Sequence, residues 1–192
     1  KYDKKTYTHS TKFDTLNKVV VIDVSMHNKT VDFNKVKADG IDFVYVRVGY
    51  TGYTKKKLSL NYDPNYQENI TNALAAGLQV GVYWYSQALN EEEALQEANM
   101  PVVYDYEFAG VGDGRLDSAN LSKAQMTANS LAFLNRVSQM GYTPCLYANY
   151  SFLKNRLNAS QISSIAKIWL AHYNTSTDYP GDYEYWQYTS DG

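Results

Sequence analysis

Two carboxylates close the heptapeptide Pro101-Val102-Val103-Tyr104-Asp105-Tyr106-Glu107, an apolar run that ends abruptly in acid. If the run is a β-strand, Asp105 and Glu107 project from the same face with Cα atoms ~6.5 Å apart. Two acids so placed at the rim of an apolar interior cannot both ionise freely. Desolvation and mutual repulsion raise the pKa of one, and a carboxylic acid still protonated near neutral pH can deliver a proton. Glycosidic bond cleavage asks for that donor, plus a second group that stabilises or traps positive charge at the anomeric carbon. The same residues could instead cap a helix or bind a surface lysine, since acids at strand ends are common. A third acid weighs against that plainer reading. Asp23 ends the apolar run Val19-Val20-Val21-Ile22 in the same manner, and strand ends of a closed sheet converge, so it can face the pair across the mouth.

The elements that must position these acids alternate along the chain. Apolar strands are expected at 19–24, 43–48, 79–85, 101–106, 143–147, 167–171 and 184–188, with a short helix at 33–38 and another at 91–99. Residues 49–62 read as a loop. A helix follows it, with Asp63 at the N-cap, Pro64 in the first helical position and Gly77 just past the end; Ile70, Ala73, Leu74 and Ala76 supply its apolar face. Ser122 and Gln125 form a capping box that opens a long helix with Met126, Leu131, Leu134 and Val137 at helical spacing, closed by Gly141. Helical turns follow at 151–164, and Pro180-Gly181 turns the chain into the seventh strand.

Strands that are apolar throughout and alternate with helices indicate a parallel sheet covered by helices. The first strand leads into Asp23-Val24-Ser25, not a glycine-rich phosphate loop, which weakens a nucleotide-binding sheet. Polar residues gather instead where several strands end, as in a barrel that carries its active site at the strand C-termini. The expected fold is thus α/β, an irregular (β/α) TIM-like barrel over residues 19–192, preceded by a polar lead-in or linker at 1–18. Eight strands are needed for closure and seven are found, and a helix over 91–99 spans only ~13 Å, short for a return across the sheet. Residues are therefore expected to be absent between Asn99 and Met100 and after Gly192, and Lys1 is read as the start of a processed product.

Bulk properties bound the rest. The 192 residues, 44% hydrophobic, suit one well-packed domain. A formal net charge of -2 gives no broad reason to bind nucleic acid, and the only basic run, Lys55-Lys56-Lys57, reads as a solvated loop. No stretch approaches the ~20 apolar residues of a membrane span, so no membrane partner is expected. The single Cys145 excludes an internal disulfide or cysteine-based zinc site and reads as a packed core thiol. His9, His27 and His172 lack metal-ligand spacing, so neither a metal nor another cofactor is expected. Nineteen tyrosines fit two explanations equally, strand propensity and rings that pack on sugar faces.

Taken in order, several segments resemble family-25 glycoside hydrolases, the lysozymes (N-acetylmuramidases) of bacterial, fungal and phage wall-lytic enzymes. They are Val21-Ile22-Asp23-Val24-Ser25, Phe43-Val44-Tyr45-Val46-Arg47, the stretch from Ala76-Gly77 to Tyr83-Trp84-Tyr85, and the Asp105-Tyr106-Glu107 strand. Gly141-Tyr142-Thr143-Pro144 through Tyr147, Trp169-Leu170-Ala171-His172-Tyr173 and Trp186-Gln187-Tyr188 follow. The resemblance implies cleavage of the β-1,4 bond between N-acetylmuramic acid and N-acetylglucosamine. It makes Glu107 the general acid and Asp105 and Asp23 its flanking carboxylates, as electrostatic stabilisers or as the source of a nucleophile. In a substrate-assisted variant the substrate's acetamido oxygen attacks and Asp105 orients it; both routes retain the anomeric configuration. Tyr83, Tyr85, Tyr147, Trp169, Tyr173 and Gln187 match positions that line the family's groove, although Tyr85, Trp169 and Trp186 suit plain barrel packing as well. Arg47, inside a strand, needs a carboxylate partner and reads first as structural.

Two departures from the family stand out. Trp84 replaces a histidine common after the third-strand tyrosine and is expected to alter the groove wall, and a last strand bearing one more acid is not seen. A family-18-type chitinase or endo-N-acetylglucosaminidase also carries Asp-x-Glu on a barrel strand, but with an acid two residues earlier, where this chain has Val103. A non-catalytic wall-binding module would usually lose the proton donor, and all three acids are present. The implied partner is the glycan of bacterial peptidoglycan. The implied setting is extracellular or cell-wall associated, by secretion or phage release, and the implied form is a monomer that can be one module of a larger protein.

Overall fold

A computed structural model of the chain describes residues 7–54, 57–99 and 102–190. In chain order the elements are β1 (Val21–Val24), α1 (Phe33–Ala38), β2 (Phe43–Thr51), β3 (Leu60–Tyr62), α2 (Tyr66–Ala75), β4 (Gln79–Ser86), α3 (Glu91–Glu97) and β5 (Val103–Tyr106). Then come α4 (Arg115–Ser118), α5 (Lys123–Gln139), β6 (Cys145–Asn149), α6 (Tyr150–Asn155), α7 (Ala159–Ser163), β7 (Lys167–Ala171) and β8 (Tyr185–Gln187). Seven strands run parallel in the order β1-β2-β4-β5-β6-β7-β8, and β3 pairs antiparallel with β2. The sheet curls into a half-barrel whose first and last strands, β1 and β8, share no backbone ladder among the described residues.

Side-chain alternation along the strands separates an interior from an outer shell. Tyr45, Val103, Cys145 and Trp169 pack together inside the curl with Phe43, Tyr83, Tyr147 and Tyr185. Their neighbours in sequence turn outward. Tyr104 and Tyr106 are fully buried against Phe133 and Phe152, with ring centroids 4.3 and 5.6 Å apart respectively. On the other side Val24, Val44 and Val46 pack with Phe33 of α1 and Ala73 of α2. Both faces of the sheet are thus apolar, which is why the strands read as continuous hydrophobic runs.

Several boundaries differ from expectation for reasons visible in the packing. β1 begins at Val21 because Val19 is 73% exposed. The stretch 49–62 is not all loop: β2 continues to Thr51 and folds back onto β3, with Gly49 opposite Tyr62. The ladder to β4 shifts register between Arg47 and Gly49, and a Cβ at Gly49 would lie 2.3 Å from the Trp84 ring, so no side chain fits there. Asp63 opens the turn that leads into α2, its Oδ1 accepting from Asn65 N at 3.0 Å and its carbonyl from Tyr66 N at 3.2 Å, but the regular helix begins later. That helix starts at Tyr66 after Asn65, while Asp63 is wholly buried in an ion pair with Arg47. Gly77 ends the α2 turn at φ +77°, as a C-terminal glycine should, but Leu74 is 58% exposed and drops out of the apolar face. Only half of the capping box on α5 forms: Ser122 Oγ accepts from Gln125 N at 3.1 Å, while the Gln125 amide turns to Asn129 at 2.8 Å.

Upstream of β1 the chain lies along the β8 side. Thr8 N donates to Thr175 O at 2.8 Å, and the Tyr7 and Phe13 rings sit 4.0 and 4.8 Å from those of Tyr188 and Tyr183. The expected gap between Asn99 and Met100 and two lysines of the basic run, Lys55 and Lys56, fall at positions outside the described residues. Among the described residues no helix is long and apolar enough to cross a membrane.

Candidate active site

Parallel pairing sets the acids in rows across the mouth of the half-barrel. Tyr85, Asp105, Tyr147 and Trp169 are register partners on β4, β5, β6 and β7, and all four line one cleft of about 610 Å³. Asp23, Arg47, Tyr83 and Glu107 line it too, with Ser25, Met26 and His27 after β1, Tyr50 and Tyr53 on and after β2, and Ala109 and Val111 after β5. The three sequence-predicted acids therefore meet in one space. So do Tyr83, Tyr85, Tyr147 and Trp169, whereas Tyr173 and Gln187 join at the edge through hydrogen bonds.

Burial governs the electrostatics. Asp105 is 7% exposed and its Oδ1 has no hydrogen-bond partner among protein atoms. Desolvation, then the charges of Glu107 and Asp23, hold its pKa well above the usual carboxylate range, with the Arg47 guanidinium opposing. Glu107 is pushed up to about 7, chiefly by burial and further by Asp23, against the lowering effect of a hydrogen bond from Asn149. Asp23 is raised by burial, partly offset by its bond to Gln187. The trio shares fewer negative charges at neutral pH than three separate carboxylates would, and one member can stay protonated near pH 7.

A hydrogen-bonded bridge spans the open seam of the sheet. Gln187 Nε2 on β8 donates to Asp23 Oδ2 on β1 at 2.8 Å. Its Oε1 accepts from the Tyr147 hydroxyl at 2.6 Å and the Tyr173 hydroxyl at 3.2 Å. One amide thus orients Asp23 and two phenols together. On the opposite flank Arg47 finds the carboxylate it was expected to need: Nε and Nη2 each lie 2.8 Å from Asp63 Oδ2. Asp63 also accepts from the backbone N–H of Met26 at 3.0 Å, so the loop after β1 is tied to the same pair.

Trp84 corrects an expectation. Its side chain faces away from the cleft, 5% exposed, and its Nε1 donates to Thr51 Oγ1 at 3.0 Å, so it does not alter the groove wall. It borders a buried polar cluster in which the Thr51 and Ser86 hydroxyls both bond the Glu97 carboxyl, the latter at 2.6 Å; burial pushes Glu97 up to about 7. Cys145 packs in the interior core, where burial pushes its thiol up and away from reactivity.

Sequence reasoning missed Asn149 and Gln87. Asn149 sits two residues beyond Tyr147 on β6, and its Oδ1 caps α6 by accepting from Phe152 N at 2.9 Å. Its cap position before a helical segment was a usable signal; its amide beside Glu107 was not. Gln87, just past β4, carried no local signal at all.

Comparison with known proteins places this geometry. The model of glycosyl hydrolases family 25 matches residues 22–192, a span that holds all three acids. An autolytic lysozyme of Clostridium acetobutylicum is 28% identical over 177 residues, covering 89% of this chain and 50% of that protein. The chain thus spans about half the length of that curated relative. Among solved structures, the modular autolysin LytC from Streptococcus pneumoniae aligns with a TM-score of 0.69 at 25% identity, over 90% of this chain and 42% of that one. A family 25 glycosyl hydrolase from Bacillus anthracis shares the fold with a TM-score of 0.74 at 17% identity, over 100% of this chain and 87% of that one. With the family match running from the first strand through the acid pair to the end of the chain, this protein belongs to glycosyl hydrolases family 25.

Proposed function

We propose that the protein is a peptidoglycan-cleaving lysozyme, an N-acetylmuramidase that cuts the β-1,4 bond between N-acetylmuramic acid and N-acetylglucosamine with retention. The observation that carries this reading is a half-buried carboxyl, Glu107, held protonated to about pH 7 beside two further acids in an aromatic-lined cleft. Glu107 gives its proton to the glycosidic oxygen as the C1–O bond breaks, and the leaving sugar departs as an alcohol. Positive charge gathers at C1 and the ring oxygen, where Asp105 and Asp23 offset it. It is trapped either by a carboxylate or by the substrate's own acetamido oxygen, oriented by Asp105. Deprotonated Glu107 then takes a proton from the incoming water, which adds to C1 from the face the leaving group vacated and restores the acid.

Tyr83, Tyr85, Tyr147 and Trp169 form the ring-lined floor and walls on which pyranose faces can lie, and Tyr173 with Gln187 forms the rim. The partner is the glycan strand of bacterial walls, and the chain acts outside the cell or at the wall. Residues 19–192 form the catalytic unit, and 1–18 lead in to it. Support comes from family membership and from a curated relative described as an autolytic lysozyme.

The test is digestion of purified bacterial wall followed by identification of the new reducing ends. Muramic acid ends support the proposal. Glucosamine ends would point to an endo-N-acetylglucosaminidase and absence of release to a binding module, and either would overturn it. Glu107→Gln should abolish release and leave wall binding intact; persistent turnover would remove Glu107 from the role of acid.

A further inference from the structure

Glu107 lies one residue beyond the end of β5, so no strand ladder fixes it. Its backbone is held from the side. Gln87 Nε2 donates to Glu107 O at 2.8 Å, and Gln87 Oε1 accepts from Leu116 N at 3.3 Å, so one amide joins the residue after β4 to both ends of the loop between β5 and α4. Gln87 is fully buried and does not line the cleft, hence it acts on substrate only through what it holds.

Gln87 is itself clamped. Its carbonyl accepts from Arg115 Nη1 at 2.8 Å, and Arg115 makes a two-pronged pair with Glu93, Nη1 to Oε2 at 2.7 Å and Nη2 to Oε1 at 2.6 Å. Glu93 Oε2 also accepts from Leu89 N at 2.8 Å, closing the loop between β4 and α3. Arg115 N donates to Tyr53 O at 2.6 Å, which brings in the cleft loop after β2. Such a part-buried bidentate pair is rigid once formed, and its partners cannot drift singly without leaving charge unpaired. The Glu107 carboxyl has Asn149 beside it, a neighbour that favours its ionised form.

We infer that Gln87 is a positioning residue for Glu107: its buried amide fixes the carbonyl of Glu107, and so the direction of the carboxyl, against a platform built by Arg115 and Glu93. The inference rests on the proposed glycosidase activity. Misplacing a reacting group by about 1 Å costs on the order of 100-fold in rate. Gln87→Met keeps the length and bulk of the side chain and removes both donor and acceptor.

On solubilised peptidoglycan glycan, Gln87→Met should lower kcat by roughly 10- to 100-fold while KM stays within about twofold, because binding residues are untouched. Carboxyl 13C NMR of the unliganded protein, with Glu107→Gln to assign the resonance, should show the Glu107 midpoint falling from about 7 toward 4.5 as the side chain swings toward water. A Gln87→Glu variant regains a donor only when its new carboxyl is protonated. Its kcat relative to wild type should therefore climb as pH falls, a trend that a merely structural role would not produce, and it serves as the test should the Met variant fail to fold. A folded Gln87→Met protein with wild-type kcat and an unmoved Glu107 titration overturns the inference, as does a flat pH ratio for Gln87→Glu. If wild-type protein releases no sugar ends, the proposed activity fails, while the NMR measurement still decides the role of Gln87.

Discussion

Replacing Glu107 with glutamine should make the protein inactive and, above neutral pH, more stable. The carboxyl titrates near 4.5 in an unfolded chain and near 7 in the fold. A group whose folded pKa is raised binds more protons in the native state, so native stability falls as pH rises through that window and levels off above it. At ~1.4 kcal/mol per pH unit the interval corresponds to about 3 kcal/mol. Glutamine escapes that loss, since it stays neutral and can still meet the Asn149 side chain. Urea unfolding of both proteins at pH 4, 6 and 8 should give a stability difference near zero at pH 4 that grows to about 3 kcal/mol in favour of the variant by pH 8. For a chain of this size that is ~6–12 °C in Tm. Activity should drop at least ~100-fold, the low end of what a positioned general acid contributes. A stability difference that does not change between pH 4 and pH 8 would refute the claim that Glu107 carries a proton to near neutral pH, whatever the activity did.

Three further outcomes follow from the same physics. The kcat of the wild-type enzyme should decline above about pH 7, tenfold per unit once Glu107 has lost its proton, and a pH profile on soluble glycan checks it. Asp63→Ala should cost about 3–5 kcal/mol in urea unfolding by stranding the buried Arg47, and the double change Arg47→Met with Asp63→Leu should recover most of that. Glu97→Gln, in its cluster with Thr51 and Ser86, should flatten the decline of stability between pH 4.5 and about 7 while leaving kcat unchanged, measurable by paired melts and assays.

The sheet was legible because its strands are apolar on both faces, so each announced itself as a short hydrophobic run. The acids were legible for a related reason: Asp23 and the Asp105/Glu107 pair interrupt such runs where no solvent face is due. What escaped was whatever depended on distant partners. Asp63-Pro64 carries the local marks of a helix start, and Asp63 Oδ1 does bond Asn65 N, but nothing local shows that Oδ2 pairs with the distant Arg47. The hairpin strand β3 is three residues long and mostly exposed, too short for any period to show. Trp84 alternates with Tyr83 and Tyr85, so strand parity alone sends it to the outer face. Gln87 and Asn149 are single amides whose bearing on Glu107 spans 20 residues of sequence or more, a distance over which no sequence pattern connects them.

The bridge from Gln187 to Asp23 has a dynamic consequence. The other neighbouring strands of the curved wall are knitted by main-chain ladders, while among the described residues the first and last strands share none and are joined by a side-chain amide. Breathing of the wall should therefore concentrate at this junction, with the edge amides of β1 and β8 exchanging with solvent sooner than those of β5 and β6. A sugar held against both Asp23 and Gln187 would act as a brace across the gap. Bound glycan would then slow exchange most at the two chain-distant strands, and much less beneath α5, tightening the fold where it is weakest.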